Sequence, residues 1–286
     1  MKEGFKKLFN KRIKVFEDFL RDYISKINSP LLKEGIEYAL FGDCKRFRPL
    51  LVFASYELFA PDTGINSIKK TFPFAAAVEM VHTYSLIHDD LPSMDNADTR
   101  RGKPSVHKKF GEGIAVLLGD GLLTEAFRIF SIDDLWNGVS RTKRLALSGI
   151  LASAIGFEGM IEGQTMDILY GRLKSPVEKI AEKKTGMLIS ASCEGGGYIG
   201  GGKRGKDLMR RFGLLLGRAF QIIDDIKDHL SGEKRADEPS FVEVFGMERA
   251  KEMAFEFLKK GEEMISGFKN KGSLVSLIKF LRDEGI

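Results

Sequence analysis

The chain of 286 residues is 43% hydrophobic, enough to bury a sizeable core, and its 45 Lys and Arg against 40 Asp and Glu leave a net charge of +5. So mild an excess fits an enzyme with anionic substrates and does not require nucleic acid as a partner. Two cysteines, Cys44 and Cys193, with no C-x-x-C pair leave a disulfide framework or a structural zinc site without support, and a reducing cytoplasm fits.

From the N-terminus, Met1–Lys14 is charged and mixed, and no apolar signal-type core follows, so an exported chain is not expected. Apolar residues recur at helical spacing in Phe16, Phe19, Leu20 and Tyr23, and again in Leu208, Phe212, Leu215, Leu216 and Ala219; alternating runs are scarce. Breaks are expected at Asn28-Ser29-Pro30, Ala60-Pro61-Asp62, Arg101-Gly102-Lys103-Pro104, Ser175-Pro176 and the glycine-rich Gly195–Gly205. The longest weakly polar stretch, Leu147–Phe157, falls short of the roughly 18 apolar residues a membrane span needs and reads as a buried helix. With no repeat and no low-complexity linker, the expected architecture is all-α, one helical domain over residues 1–286.

Chemistry-bearing residues follow in the same order. Lys45-Arg46-Phe47-Arg48-Pro49 sets three cations ahead of the apolar Leu50-Leu51-Val52-Phe53, although a solvated helix start reads the same way. In His88-Asp89-Asp90-Leu91-Pro92-Ser93-Met94-Asp95, Pro92 should end a helix so that Asp95 returns on a loop toward Asp89. At about 100° per residue, His82 and Ser85 lie within about 40° of the Asp89 direction. His82 therefore either faces the same cavity or is a satisfied core histidine. Arg100-Arg101-Gly102-Lys103 then offers guanidinium forks suited to phosphate oxygens. Lys184-Thr185-Gly186 is unremarkable in isolation.

In the last cluster, Gln221, Asp224 and Asp228 are spaced i, i+3, i+7 and share one helix face. Repulsion on a solvated face would cost only a few tenths of a kcal/mol, so a surface acidic stripe is the competing reading. The neighbours Phe220, Ile222, Ile223 and Ile226 argue against it, because carboxylates in apolar company need a cation. Both clusters offer oxygen ligands and no cysteine. That set suits Mg²⁺, which bridges protein carboxylates to substrate phosphates. The residues thus predict a magnesium-dependent enzyme that grips and ionises a diphosphate between Asp89–Asp95 and Asp224–Asp228.

Taken together, Lys45–Pro49, Val78–Pro92, Arg100–Pro104, Leu118-Gly119-Asp120, Gly163-Gln164, Lys184-Thr185-Gly186 and Phe220-Gln221 resemble, in order and over most of the chain, the trans-prenyltransferases. These are the short-chain isoprenyl diphosphate synthases, and the bacterial farnesyl diphosphate branch is the nearest in pattern. The resemblance implies an isoprenoid synthase fold, a helical bundle with a central cavity, and a homodimer with neither nucleic acid nor a membrane segment. It implies head-to-tail condensation of dimethylallyl or geranyl diphosphate with isopentenyl diphosphate to farnesyl diphosphate. The alternatives are a geranylgeranyl product or a weakly active subunit of a heteromeric synthase.

Residue by residue, the resemblance makes Asp89, Asp95 and Asp224 ligands of three magnesium ions on the allylic diphosphate. Asp228, Asp90 and Asp225 are further or water-mediated partners. Arg100 would contact that diphosphate, Lys45, Arg48, His82 and Arg101 would hold isopentenyl diphosphate, and Lys184, Thr185 and Gln221, with Phe220, would line the cation. Tyr84 and Ser85, the fifth and fourth residues before Asp89, match the pattern in which bulk limits product length, although an ideal helix sets Tyr84 about 140° from Asp89.

Two departures stand out. The family's Gly-Gly before Lys-Arg is here Asp43-Cys44, an acidic side chain beside a diphosphate loop. After Asp228 the usual Gly-Lys elements give way to Gly232–Ser240, a shorter loop in which Lys234 or Arg235 substitutes for a missing lysine, or which closes less tightly. Among rivals, a phosphohydrolase of the HD type needs a metal histidine upstream of His82, and none of the four histidines precedes it. A class I terpene cyclase needs a glutamate where the nearest candidate element has Ala97.

Overall fold

The computed structural model describes residues 3–42, 44–170, 176–232 and 240–285. The helices are α1 (Glu3–Ser25), α2 (Pro30–Leu40), α3 (Phe47–Glu57), α4 (Ile65–Ile68), α5 (Phe72–Asp89), α6 (Val106–Phe110), α7 (Glu112–Arg128), α8 (Arg141–Ile155), α9 (Met160–Tyr170), α10 (Val177–Ile180), α11 (Met187–Ser231), α12 (Phe241–Phe245), α13 (Met247–Ile265) and α14 (Gly272–Gly285). The only strands among the described residues are β1 (Thr99–Arg100) and β2 (Lys103–Pro104), an antiparallel pair. The all-α expectation holds. By contact density the chain divides into one unit of residues 1–50 and 69–140 and a second of 51–68 and 141–286.

In the first unit, Ser29 caps α2 by accepting from the Leu32 amide, and Pro30 opens the helix, as the Asn-Ser-Pro break predicts. α5 is buried along nearly its whole length from Phe72 to Val81 and packs against α7. Phe16, Leu20 and Tyr23 are the buried stripe of α1, with Phe19 half-buried. Phe16 meets Phe72 edge-on at 5.5 Å, and the Tyr23 hydroxyl donates to Glu125 at 2.7 Å, tying α1 to α5 and α7. Each fully buried aromatic or leucine of this stripe contributes about 1.5–3 kcal/mol. The Arg101-Gly102 break is the turn between β1 and β2, with φ of 53° and 72°, the left-handed pair that a two-residue hairpin turn uses.

The second unit is built on α11, which packs against α13, α8 and α14. Here one expectation holds and another fails. Gly195–Gly205 does contain a break: at Gly202 (φ 60°, ψ −145°) the chain reverses, so α11 is two helical arms lying side by side, with Ser190 Oγ donating to the Arg210 carbonyl at 3.0 Å. Other glycines of the run allow close approach: a Cβ on Gly196 would lie 2.2 Å from the Val52 carbonyl oxygen of α3. Leu147–Phe157 is not wholly buried. α8 ends at Ile155, and Phe157 is 86% exposed in the turn beyond it. The stretch Arg141–Leu169 is apolar enough by composition to cross a membrane. The turn at 156–159 cuts it into helices of 15 and 11 residues, each shorter than the ~20 residues a span takes. Along the predicted stripe from Leu208, the residues buried are Met209, Phe212, Leu216 and Ala219, while Leu208 and Leu215 are half-buried.

Candidate functional site

In the first unit, α5 ends at Asp89, and the loop beyond it closes on the helix end. The Asp95 amide donates to the Asp89 carbonyl at 2.8 Å, Asn96 to Leu91 at 3.0 Å and Ala97 to Asp90 at 3.2 Å. Asn96 takes the left-handed conformation (φ 48°) that lets the chain turn back, as asparagine tolerates. The half-buried Asp89 and Asp95 are thereby held on one compact loop, the return that Pro92 predicts. Asp90 is different. It is buried, and one of its oxygens accepts from Arg100 Nε at 2.9 Å and Nη2 at 2.5 Å, so Arg100 and Asp90 engage each other.

One and two turns back along α5 a second group assembles. Arg48 Nη1 lies 3.2 Å and Arg101 Nη2 3.5 Å from the same nitrogen of His82. Guanidinium groups only donate, so that nitrogen is an acceptor and the ring is neutral with its proton on Nδ1. Burial, followed by Arg48, Arg101, Arg46 and Arg100, holds His82 well below the usual histidine range. Arg101 also donates to Cys44 Sγ at 2.9 Å. Burial pushes that thiol up, while Arg101 and Arg46 pull it down. Lys45 is exposed and Ser85 donates to the His82 carbonyl. The departures at Asp43 and at Lys234, Arg235 and Glu238 fall outside the described residues.

Tyr84 is buried, its ring edge-on to His88 at 5.7 Å, and burial with the nearby Asp89 charge pushes its hydroxyl up to about 12. His88 turns toward α7, 3.2 Å from the Val116 carbonyl.

In the second unit, Lys184 and Thr185 stand on a π turn, Ala181–Gly186, that runs directly into α11; such single turns are frequent at functional sites. Gly163 of α9 sits against this turn so closely that a Cβ there would lie 2.2 Å from the Lys184 amide nitrogen. One turn along α9, Asp167 accepts from the Lys184 ammonium at 2.5 Å. Thr185 Oγ1 donates to Gln221 Oε1 at 2.7 Å, and Gln221 Nε2 donates to Asp225 at 2.9 Å. The other Asp225 oxygen accepts from the Phe241 amide at the start of α12, at 2.7 Å. Asp224 is half-buried, 4.0 Å from the Lys227 ammonium, and Asp228 is exposed; Phe220 is half-buried.

The structure brings Thr185 and Gln221 together, and sequence reasoning missed Asp167. The available signal was an acid three residues past Gln164, one turn on from the Gly163-Gln164 pair. Asp225, expected as a further or water-mediated metal partner, has one oxygen bonded to Gln221 and the other to the Phe241 amide.

The donor set fits magnesium. Asp89, Asp95, Asp224 and Asp228 offer only hard oxygens, and among the described residues no three His, Cys, Asp or Glu groups form a closed cage. An ion that keeps several waters and shares substrate phosphate oxygens needs only one or two protein carboxylates.

The first unit thus carries a carboxylate loop and two converging guanidinium groups, and the second a carboxylate cluster on α11. A polyprenyl synthetase model matches residues 29–241, and the chain belongs to that family, whose members are prenyl diphosphate synthases. Over 237 residues it is 43% identical to farnesyl diphosphate synthase of Geobacillus stearothermophilus, covering 80% of this chain and 77% of that protein. Over 254 residues it is 37% identical to the chloroplastic geranylgeranyl pyrophosphate synthase 7 of Arabidopsis thaliana, covering 83% and 71%. The crystal structure of the Helicobacter pylori geranyltransferase complexed with magnesium and isoprenyl diphosphate matches 99% of both chains with a TM-score of 0.82 at 29% identity. Relatives with different product lengths match alike, so short-chain prenyl diphosphate synthesis is the activity these comparisons carry.

Proposed function

We propose that the chain is a magnesium-dependent trans-prenyltransferase that condenses dimethylallyl or geranyl diphosphate with isopentenyl diphosphate, head to tail, and that its product is farnesyl diphosphate. The observation that carries the reading is the convergence of Arg48 and Arg101 on one neutral His82 nitrogen, 3.2 and 3.5 Å away. Two guanidinium groups held this close repel each other, and a diphosphate relieves that repulsion with bidentate hydrogen bonds. Lys45, Arg48, His82 and Arg101 receive the diphosphate of isopentenyl diphosphate. Asp89, Asp95, Asp224 and Asp228 hold the metal, and Arg100 lies on the allylic side.

Magnesium, when bound, neutralises charge on the departing diphosphate. The chain's own residues orient and protect. With the Lys184 ammonium neutralised by Asp167, Thr185 and Gln221, fixed by Asp225, turn oxygen lone pairs to the allylic cation with Phe220 beside them, and water is kept out. The C–O bond breaks with its electron pair on the diphosphate, the isopentenyl double bond forms the new C–C bond, and the released diphosphate takes the proton. No protein nucleophile is needed. The Tyr84 and Ser85 pattern favours the farnesyl product; the 37% identity to a plant geranylgeranyl synthase is the observation behind the longer alternative. The units act as one polyprenyl synthetase domain, which the match over residues 29–241 supports. We place the enzyme in the cytoplasm as a homodimer; Val116 and Leu117, exposed on α7, support the pairing.

An omission assay tests the reading. Product should require magnesium, the allylic diphosphate and isopentenyl diphosphate together. Turnover of the allylic substrate alone would identify a cyclase instead.

A further inference from the structure

Arg46 lies between the two cations assigned to isopentenyl diphosphate and cannot itself reach a ligand, because its side chain is fully buried. Its guanidinium is spent on three elements. Nε donates to Glu17 of α1 at 3.0 Å, Nη1 to Glu79 of α5 at 2.7 Å and Nη2 to the Leu40 carbonyl at the end of α2 at 2.7 Å. The Leu40 carbonyl belongs to the last turn of its helix, where the intrahelical donors run out. Glu79 stands three residues before His82 on α5, one turn away, so the anchor and the histidine share a rigid element. The backbone at Arg46 is left-handed, with φ of 51°, a conformation that residues with side chains avoid unless their surroundings hold them there.

A buried ion network of this kind adds little net stability over apolar packing of the same shape; what it fixes is geometry. The planar fork of Arg46 meets acceptors in three directions, which an ammonium on a flexible stem does not reproduce. We infer that Arg46 is a positioning residue: held by Glu17, Glu79 and Leu40, it locks the left-handed turn that sends Lys45 outward and Arg48 toward His82, and so sets the affinity for isopentenyl diphosphate. In assigning this role we rely on the reading above, that Lys45 and Arg48 receive that diphosphate.

The test measures isopentenyl diphosphate binding by calorimetry and both KM values by steady-state kinetics, on the full chain with Arg46→Gly, Arg46→Lys or Glu79→Gln. Glycine accepts the left-handed backbone and removes only the anchor. Its KM and Kd for isopentenyl diphosphate should rise about tenfold to a hundredfold, as misplacement of a binding group does, while KM for the allylic diphosphate changes by less than about twofold. Arg46→Lys should fall between wild type and Arg46→Gly. A melting curve confirms that the variants are folded. If Arg46→Gly does not fold, the isosteric Glu79→Gln decides, with a several-fold rise for isopentenyl diphosphate alone expected. An unchanged affinity, or a parallel rise for both substrates, overturns the assignment. If the wild-type chain itself binds no isopentenyl diphosphate, the proposed function fails, and the role of Arg46 with it.

Discussion

The ammonium of Lys184 and the carboxylate of Asp167 meet at 2.5 Å, although they stand on different elements, the π turn Ala181–Gly186 and α9. Gly163, one turn earlier on α9, lets the π turn come close enough for this pair to form. A hydrogen bond between charged groups contributes about 1.5–3 kcal/mol. Asp167→Asn keeps the shape and removes the charge. We expect kcat to fall about tenfold, corresponding to roughly 1.4 kcal/mol, with KM for isopentenyl diphosphate unchanged. Steady-state kinetics with each substrate varied in turn will check this.

Cys44 holds Arg101 through a 2.9 Å contact. Cys44→Ser keeps an acceptor at that place and should leave KM for isopentenyl diphosphate near wild type. Cys44→Ala removes the acceptor. Loss of a neutral hydrogen bond worth about 0.5–1.5 kcal/mol should raise that KM about twofold to tenfold. Equal kinetics in the two variants would show that Arg101 is fixed by other contacts.

Much of this was legible in the residues, and the failures have physical causes. Pro92 and the spacing from Asp89 to Asp95 predicted the closing loop, because a proline that ends a helix and an amide that must find a carbonyl leave few alternatives. The all-helical class followed from the apolar period. Gly195–Gly205 marked the reversal at Gly202, because a run of glycines both permits the left-handed turn and lets the two arms of α11 approach each other. Positions i+3 and i+4 share a face, so spacing left open which aspartate Gln221 would meet; its hydrogen bond goes to Asp225. Asp167 was hidden because its partner Lys184 is distant in sequence. The clustering of Glu17 and Glu79 on Arg46 was invisible for the same reason.

His82 supplies a pH prediction. Its folded pKa lies well below the unfolded value of about 6.5, so the unfolded chain binds the extra proton first. Stability from this group is complete above about pH 6.5 and is lost as the pH falls from there toward the folded value. His82→Gln, which does not titrate, should flatten that part of the stability curve. Denaturant melts of both chains between pH 7.5 and 5, estimated from the same linkage, would show it. The activity profile for isopentenyl diphosphate should lack an inflection from His82 near neutral pH.

Tyr84 is buried beside His88 one turn before Asp89. Tyr84→Ala should lengthen the product by opening space ahead of the first cluster, at a stability cost of about 3 kcal/mol typical of a lost core aromatic. Chromatography of the dephosphorylated alcohols reads the outcome. Products of wild-type length would place the floor of the pocket elsewhere.

The central claim is that this chain, alone, joins two isoprenoid diphosphates. Purified wild-type protein incubated with magnesium, geranyl diphosphate and labelled isopentenyl diphosphate, with products separated by chain length, tests it most directly. We predict labelled farnesyl diphosphate, abolished by chelating the metal. Absence of any condensation product from the folded chain would contradict the account.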